Sequence, residues 1–178
     1  MGETILVLGG ARSGKSRLAE RLAAERGPVT YVATATLDPS DPEMLGRIER
    51  HQAARPADWV TREVPRDLPG LLPTLTDGDG SVLVECVTLW VSNLMLGLGG
   101  GTAEGDDAVL DAVERAAGAA KGGAARVVWV SNEVGSGIVP VNDLARRFVD
   151  LQGWANLRLA AACDAAYLCV AGLSVRLK

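Results

Sequence analysis

The feature that narrows this chain most is Gly9-Gly10-Ala11-Arg12-Ser13-Gly14-Lys15-Ser16, set directly after the apolar run Ile5-Leu6-Val7-Leu8. It fits the pattern G-x-x-x-x-G-K-[ST], and its flanks fit too. β-branched strand residues lead in, while Leu18, Ala19, Leu22 and Ala23 recur at helical spacing on the way out. Gly9 and Gly14 allow backbone angles and a close approach that side chains would block, so successive N–H groups can face an anion. The helix that follows aims its positive N-terminus at the same spot. Lys15 then reaches the β- and γ-phosphates, and the Ser16 hydroxyl is placed to ligate Mg²⁺. This pattern predicts a nucleoside triphosphate site.

The remaining pattern is that of an α/β chain. Apolar strand-like runs alternate with longer helical stretches, which predicts a mostly parallel sheet flanked by helices. After the Gly27-Pro28 break, Val29–Ala33 reads as a second strand ending at Thr34-Ala35-Thr36. A loop with Pro39 and Pro42 leads into a helix from about Glu43 to Arg55. Trp59–Val64 reads as an exposed strand, Leu68–Leu75 as a short helix weakened by Pro69 and Pro73, and Ser81–Cys86 as a buried strand. Thr88–Leu96 reads as a helix, and the cluster Gly97, Gly99, Gly100, Gly101 as a mobile loop. Asp106–Lys121 is an amphipathic helix, Arg126–Ser131 a central strand, and Val141–Ala162 a long helix interrupted near Gly153. Asp164–Val170 and Leu173–Leu177 read as a closing antiparallel hairpin turning at Ala171-Gly172. At 178 residues with no linker or internal repeat, one domain over 1–178 is expected.

A net charge of −4 argues against a general nucleic-acid or membrane-surface binder. No apolar run is long enough to span a bilayer, and no export signal is read ahead of the first strand. Cys86, Cys163 and Cys169 lie in apolar stretches without metal spacing, as expected of small buried hydrophobes in a reducing cytoplasm. Trp59, Trp90, Trp129 and Trp154 are scattered and are expected in core or interface rather than in a base-stacking platform.

A triphosphate site needs an acid to hold or orient Mg²⁺, usually at the end of a second apolar strand. Glu85 ends Val82-Leu83-Val84 and fits; a solvated strand-end carboxylate would look the same. Glu133 is a second candidate at the same edge. His51 is the only histidine in the chain. Arg47, His51 and Arg55 are spaced four apart, so on a helix they share a face. Two guanidiniums beside an imidazole suit a polyphosphate and keep the imidazole neutral and nucleophilic. A solvated, ion-paired helix face would show the same spacing. Asn132–Pro140 is a strand-end loop in which Gly135 and Gly137 bracket Ser136, fit for a close approach to a ligand or for a plain turn.

Taken together, several stretches resemble one family, the bifunctional adenosylcobinamide kinases and adenosylcobinamide-phosphate guanylyltransferases of cobalamin biosynthesis. The matching pieces are Leu6–Arg17 with the phosphate loop, Tyr31–Ala35, Arg47-Ile48-Glu49-Arg50-His51 with Arg55–Trp59, Glu85–Trp90 with Asn93-Leu94, Asn132–Pro140, and Gly172–Lys178. Some relatives carry two adjacent histidines where this chain has Arg50-His51. The resemblance implies a P-loop NTPase of RecA-like kind with two reactions on one scaffold. A nucleoside triphosphate, ATP or GTP, first phosphorylates the aminopropanol hydroxyl of adenosylcobinamide. GTP then gives its GMP to a histidine, by position His51, and adenosylcobinamide phosphate takes it up to form adenosylcobinamide-GDP. The resemblance also implies nucleotide contacts from Gly9, Gly10, Ala11, Arg12, Ser13, Gly14, Lys15, Ser16, Thr34, Ala35, Thr36, Gln52, Ala53, Ala54, Arg55, Glu63 and Glu85. Catalysis would fall to His51 and Lys15, with Mg²⁺ on Ser16 and Glu85. Family members are homotrimers with active sites near subunit boundaries. A simple small-molecule kinase or a RecA-like NTPase module acting on a partner would share the phosphate loop without needing His51.

Overall fold

The computed structural model describes residues 2–36, 42–53 and 55–178. Seven strands, β1 (Thr4–Gly9), β2 (Val29–Ala33), β3 (Val60–Glu63), β4 (Ser81–Glu85), β5 (Arg126–Asn132), β6 (Ala165–Val170) and β7 (Leu173–Arg176), form one sheet in the order β3-β2-β4-β5-β1-β6-β7. All neighbours pair in parallel except β6 and β7, the antiparallel hairpin at the edge. The central strands are apolar on both faces because helices cover both sides, as parallel crossovers require.

Strand alternation divides the core. Ile5, Val7, Tyr31, Leu83, Val128 and Val130 face α1 (Lys15–Ala24), which contributes Leu18, Ala19 and Ala23. Leu6, Val32, Val82, Val84, Val127 and Trp129 face the other way. There they pack under α3 (Leu68–Thr76), α4 (Val87–Leu96), α5 (Asp106–Gly122) and α6 (Asp143–Ala162). Trp90 and Trp129 are fully buried in that second layer, whereas Trp154 stands on α6 in solvent. The three cysteines are buried as thiols, and burial pushes that of Cys163 up to about 12.

Several expected boundaries shift for local reasons. α2 (Pro42–Ala53) stops before Arg55, so Arg55 does not share a helix with His51 and Arg47. The expected Pro-rich entry at Asp38 to Pro42 lies, but for Pro42, outside the described residues. α6 begins after Asn142, whose side chain accepts from the Ala145 N–H as an N-cap, and it runs through Gly153 unbroken. α3 survives Pro73 because Leu68 and Leu72 are wholly buried beneath it. The glycine loop after α4, read as mobile, is pinned by one residue. The Arg66 guanidinium donates to the carbonyls of Asn93 (2.7 Å), Leu98 (3.0 Å) and Thr102 (3.0 Å) and pairs with Glu104 at 2.5 Å. The β6–β7 turn uses positive φ at Ala171 (52°) and Gly172 (81°), the geometry of a two-residue hairpin loop.

Candidate active site

Parallel strands end at a common edge, and there the phosphate loop, Thr34, Glu63 and Glu85 follow or close their strands. Gly9 closes β1, Gly10 to Ser13 form the loop, and Gly14 caps α1 with φ 94°, a left-handed angle that suits glycine. A Cβ on Gly9 would come within 2.4 Å of Ser13 Oγ and 2.7 Å of the Cys169 carbonyl, so the loop closes only around glycine. Lys15 is buried, and its Nζ donates to the Gly10 carbonyl at 3.2 Å, which folds the ammonium back over the loop. The hairpin turn clasps the loop from outside. Gly172 N–H donates to the Ser13 carbonyl at 2.9 Å, and a Cβ on Gly14 would lie 3.1 Å from Gly172 Cα.

Across the cradle, the Ser16 hydroxyl donates to Glu85 Oε1 at 2.5 Å. Glu85 Oε2 is buried and has no hydrogen-bond partner among the described residues. A hydroxyl and a carboxylate with a spare oxygen, beside a phosphate loop, fit Mg²⁺, which keeps most of its shell as water and phosphate oxygens. Among the described residues no three His, Cys, Asp or Glu cluster as a protein-only metal cage. The Glu20 carboxyl, on α1 one turn after Ser16, is raised by burial first and by the charge of Glu85 second, while Arg55 and Arg17 pull it back.

Along β3, on the face of the sheet that α1 covers, lies a cleft of about 560 Å³ lined by Gln52, Arg55, Pro56, Ala57, Trp59, Thr61 and Glu63. That volume suits a nucleobase and sugar. The Arg55 guanidinium is stacked 3.4 Å above the Tyr31 ring and donates to Thr61 Oγ1 at 3.2 Å, which fixes its plane. Burial, with the Glu85 charge next, holds the Tyr31 phenol far above its usual range, so the ring under Arg55 stays neutral. Ala33 is level with both Glu63 and Glu85 in the sheet, which puts the two acids on the strands either side of β2.

Thr34 is fully buried and serves the frame. Its Oγ1 accepts from Cys86 N–H and donates to the Cys86 carbonyl, both at 2.8 Å, while Asn93 Nδ2 donates to its carbonyl at 2.8 Å. The half-buried Ala35 and Thr36 follow, and Thr36 packs against the pinned glycine loop at Gly99. Gln52 and Ala53 are exposed at the end of α2; Ala54 lies outside the described residues. His51 belongs to α2, one residue before the cleft-lining Gln52, and its side chain is outside the described set. Glu133 turns its Oε1 onto the Gly135 N–H at 2.8 Å, bracing its own loop. The residue before it, Asn132, closes β5 between the cradle and Glu85. Sequence spacing does not single it out, since its place depends on the strand order.

A family model described as cobinamide kinase / cobinamide phosphate guanyltransferase matches residues 5–177. The bifunctional adenosylcobalamin biosynthesis protein CobP of Pseudomonas aeruginosa is 45% identical over 175 residues, covering 97% of this chain and 96% of its own. The Salmonella typhimurium protein CobU, of the same description, is 44% identical, with 98% and 99% covered. Among solved structures, a prototypical ATPase from the type III secretion system of pathogenic bacteria superposes with a TM-score of 0.58 at 14% identity. That match covers 99% of this chain and 57% of the other. A KaiC-like protein from Pyrococcus horikoshii gives 0.52 at 10% identity, covering 94% and 70%. These two likenesses show the fold alone.

Proposed function

The chain belongs to the cobinamide kinase / cobinamide phosphate guanyltransferase family, and on that premise we propose that the two activities share one nucleotide site, with His51 as the group that carries GMP between them. The enzyme phosphorylates adenosylcobinamide and then guanylylates the product. The observation that carries the one-site reading is that cradle and cleft lie on the same, α1-bearing face of one sheet, with the helix bearing His51 meeting the cleft at Gln52.

In this reading the phosphates of GTP lie along Gly9–Ser16. Lys15 and the amides at the start of α1 offset their charge, and the fixed fork of Arg55 takes a phosphate or ribose oxygen. The Glu63 carboxylate suits the two N–H donors of a guanine edge. Ser16 and Glu85 would hold Mg²⁺, which supplies charge neutralisation to the departing pyrophosphate or nucleoside diphosphate. A neutral imidazole at His51 attacks the α-phosphorus; the bond to the bridging oxygen breaks, and pyrophosphate leaves with the electron pair. The phosphate of adenosylcobinamide phosphate then displaces the histidine. Splitting the transfer in two gives the first displacement an uncharged nucleophile in place of a phosphate anion.

The chain further reads as a homotrimer acting in the cytoplasm. Support comes from exposed apolar residues such as Ile138, Val141 and Leu157 and from three cysteines buried as thiols. Among the described residues no helix is long and apolar enough to cross a membrane.

Incubation with GTP labelled at the α-phosphorus tests the central claim. The native enzyme is expected to take up acid-labile, base-stable label. His51→Ala is expected to take up none while still phosphorylating adenosylcobinamide, and label retained by the variant would remove His51 from the role.

A further inference from the structure

β5 runs between β1 and β4, so its last residue ends between the phosphate loop and Glu85. The register pairs Gly9 with Asn132 and Glu85 with Val130. Alternation decides the side: Val128 and Val130 face α1, while Ser131 turns to α6, where its hydroxyl donates to Asn156 Oδ1 at 2.6 Å. Asn132 therefore projects on the α1 side, the side on which Glu85 meets Ser16.

The backbone there is fixed by two helices of the opposite face, α4 and α6. Asn132 N–H donates to Thr88 Oγ1 at 2.8 Å, and its carbonyl accepts from Asn156 Nδ2 at 3.0 Å. Gln152 is fully buried and ties the frame by donating to both Ser131 Oγ and Asn156 Oδ1 at 2.9 Å. Within this frame the Asn132 Oδ1 is buried and has no partner among the described residues. A strand end held this firmly, with an unpartnered amide oxygen beside an anion cradle, has the make-up of a preorganised reaction contact.

We propose that Asn132 is a catalytic residue of the phosphorylation half-reaction. Its Nδ2–H donates to an oxygen of the γ-phosphoryl group, and its Oδ1 accepts a hydrogen bond from the attacking hydroxyl of adenosylcobinamide. The amide thereby aligns the nucleophile with the phosphorus. The hydroxyl oxygen forms the new bond to the γ-phosphorus, and the bond to the β–γ bridging oxygen breaks. The nucleoside diphosphate leaves with the electron pair, and the hydroxyl proton passes to water. Asn132 takes no proton, in keeping with a transfer that needs positioning more than a base. The proposal rests on the reading that the cradle serves the kinase reaction.

The test compares the full-length enzyme with Asn132→Ala and Asn132→Ser in two assays: steady-state phosphorylation of adenosylcobinamide, and the initial rate of enzyme labelling from α-labelled GTP. We expect the phosphorylation kcat to fall on the order of 100-fold, with the nucleotide KM and the labelling rate within about three-fold of native, since attack at the α-phosphorus uses no acceptor hydroxyl. Gln152→Met, which loosens the same frame without facing substrate, is expected to lower the melting temperature and leave the ratio of the two rates unchanged. An unchanged kcat in the Asn132 variants, a parallel fall in both assays, or the same ratio change in Gln152→Met would overturn the proposal. If Asn132→Ala fails to fold, Asn132→Ser decides. A native enzyme that does not phosphorylate adenosylcobinamide at all would instead sink the functional reading, and the proposal with it.

Discussion

Arg55 shows how a single side chain can be readied before any ligand arrives. Stacked on Tyr31 and bonded to Thr61, its guanidinium has given up most of its rotamer freedom, so a nucleotide oxygen meets a donor fork already in place. Arg55→Ala is expected to raise the KM for GTP in enzyme labelling by roughly ten-fold or more, the weight of a hydrogen bond to a charged group. Arg55→Lys is expected not to restore it, because an ammonium neither stacks flat nor forks; a native KM in the lysine variant would refute this. How legible each residue was in the sequence tracks how local its placement is. The glycines, Lys15 and Ser16 of the cradle are specified by adjacent positions, and Glu85 by the end of an apolar run. Asn132 is legible only once β5 is known to separate β1 from β4, and the order of parallel strands leaves no short-range trace. The shared helical face of His51 and Arg55 failed for a related reason: a period-four spacing cannot say where a helix stops.

At the scale of elements, strand and helix type followed the pattern of apolar residues closely, and the misreadings fell where tertiary contacts overrule local composition. The glycine-rich segment after α4 has the composition of a mobile loop, yet Arg66 anchors it through three carbonyls and Glu104. The junction of β1 and β6 carries a charge that matters for pH. Asp164 accepts from both Thr4 N–H and Thr4 Oγ1 at 2.8 Å, and these bonds hold its carboxyl below the usual range. A depressed folded pKa means that its contribution to stability is present above the ordinary aspartate range and is lost as pH falls through the folded value. Native protein is thus expected to lose melting temperature as pH drops below about 4, and Asp164→Asn to show a shallower decline there. Parallel curves would show that the junction is electrostatically silent.

For the molecule as a whole, the two faces of the sheet are unequally clothed: α3 to α6 cover one, α1 the other. The surface also keeps apolar side chains that a lone subunit would gain by covering, with Ile138 97% and Val141 95% exposed, and Trp154 and Leu157 presented by α6. If the proposed trimer closes over the α6 face, Leu157→Glu is expected to sediment as one chain where the native enzyme sediments as three; an unchanged mass would exclude that face. The clasp between Gly172 and Ser13 has a consequence in time as well as in space. Ribosomes make the phosphate loop well before the turn that fastens it. Until that turn is made, the nascent polypeptide carries the motif without its fastening. A cradle shaped in part by that fastening is expected to hold GTP more weakly before residue 172 emerges, so ligand stabilisation of the fold comes late.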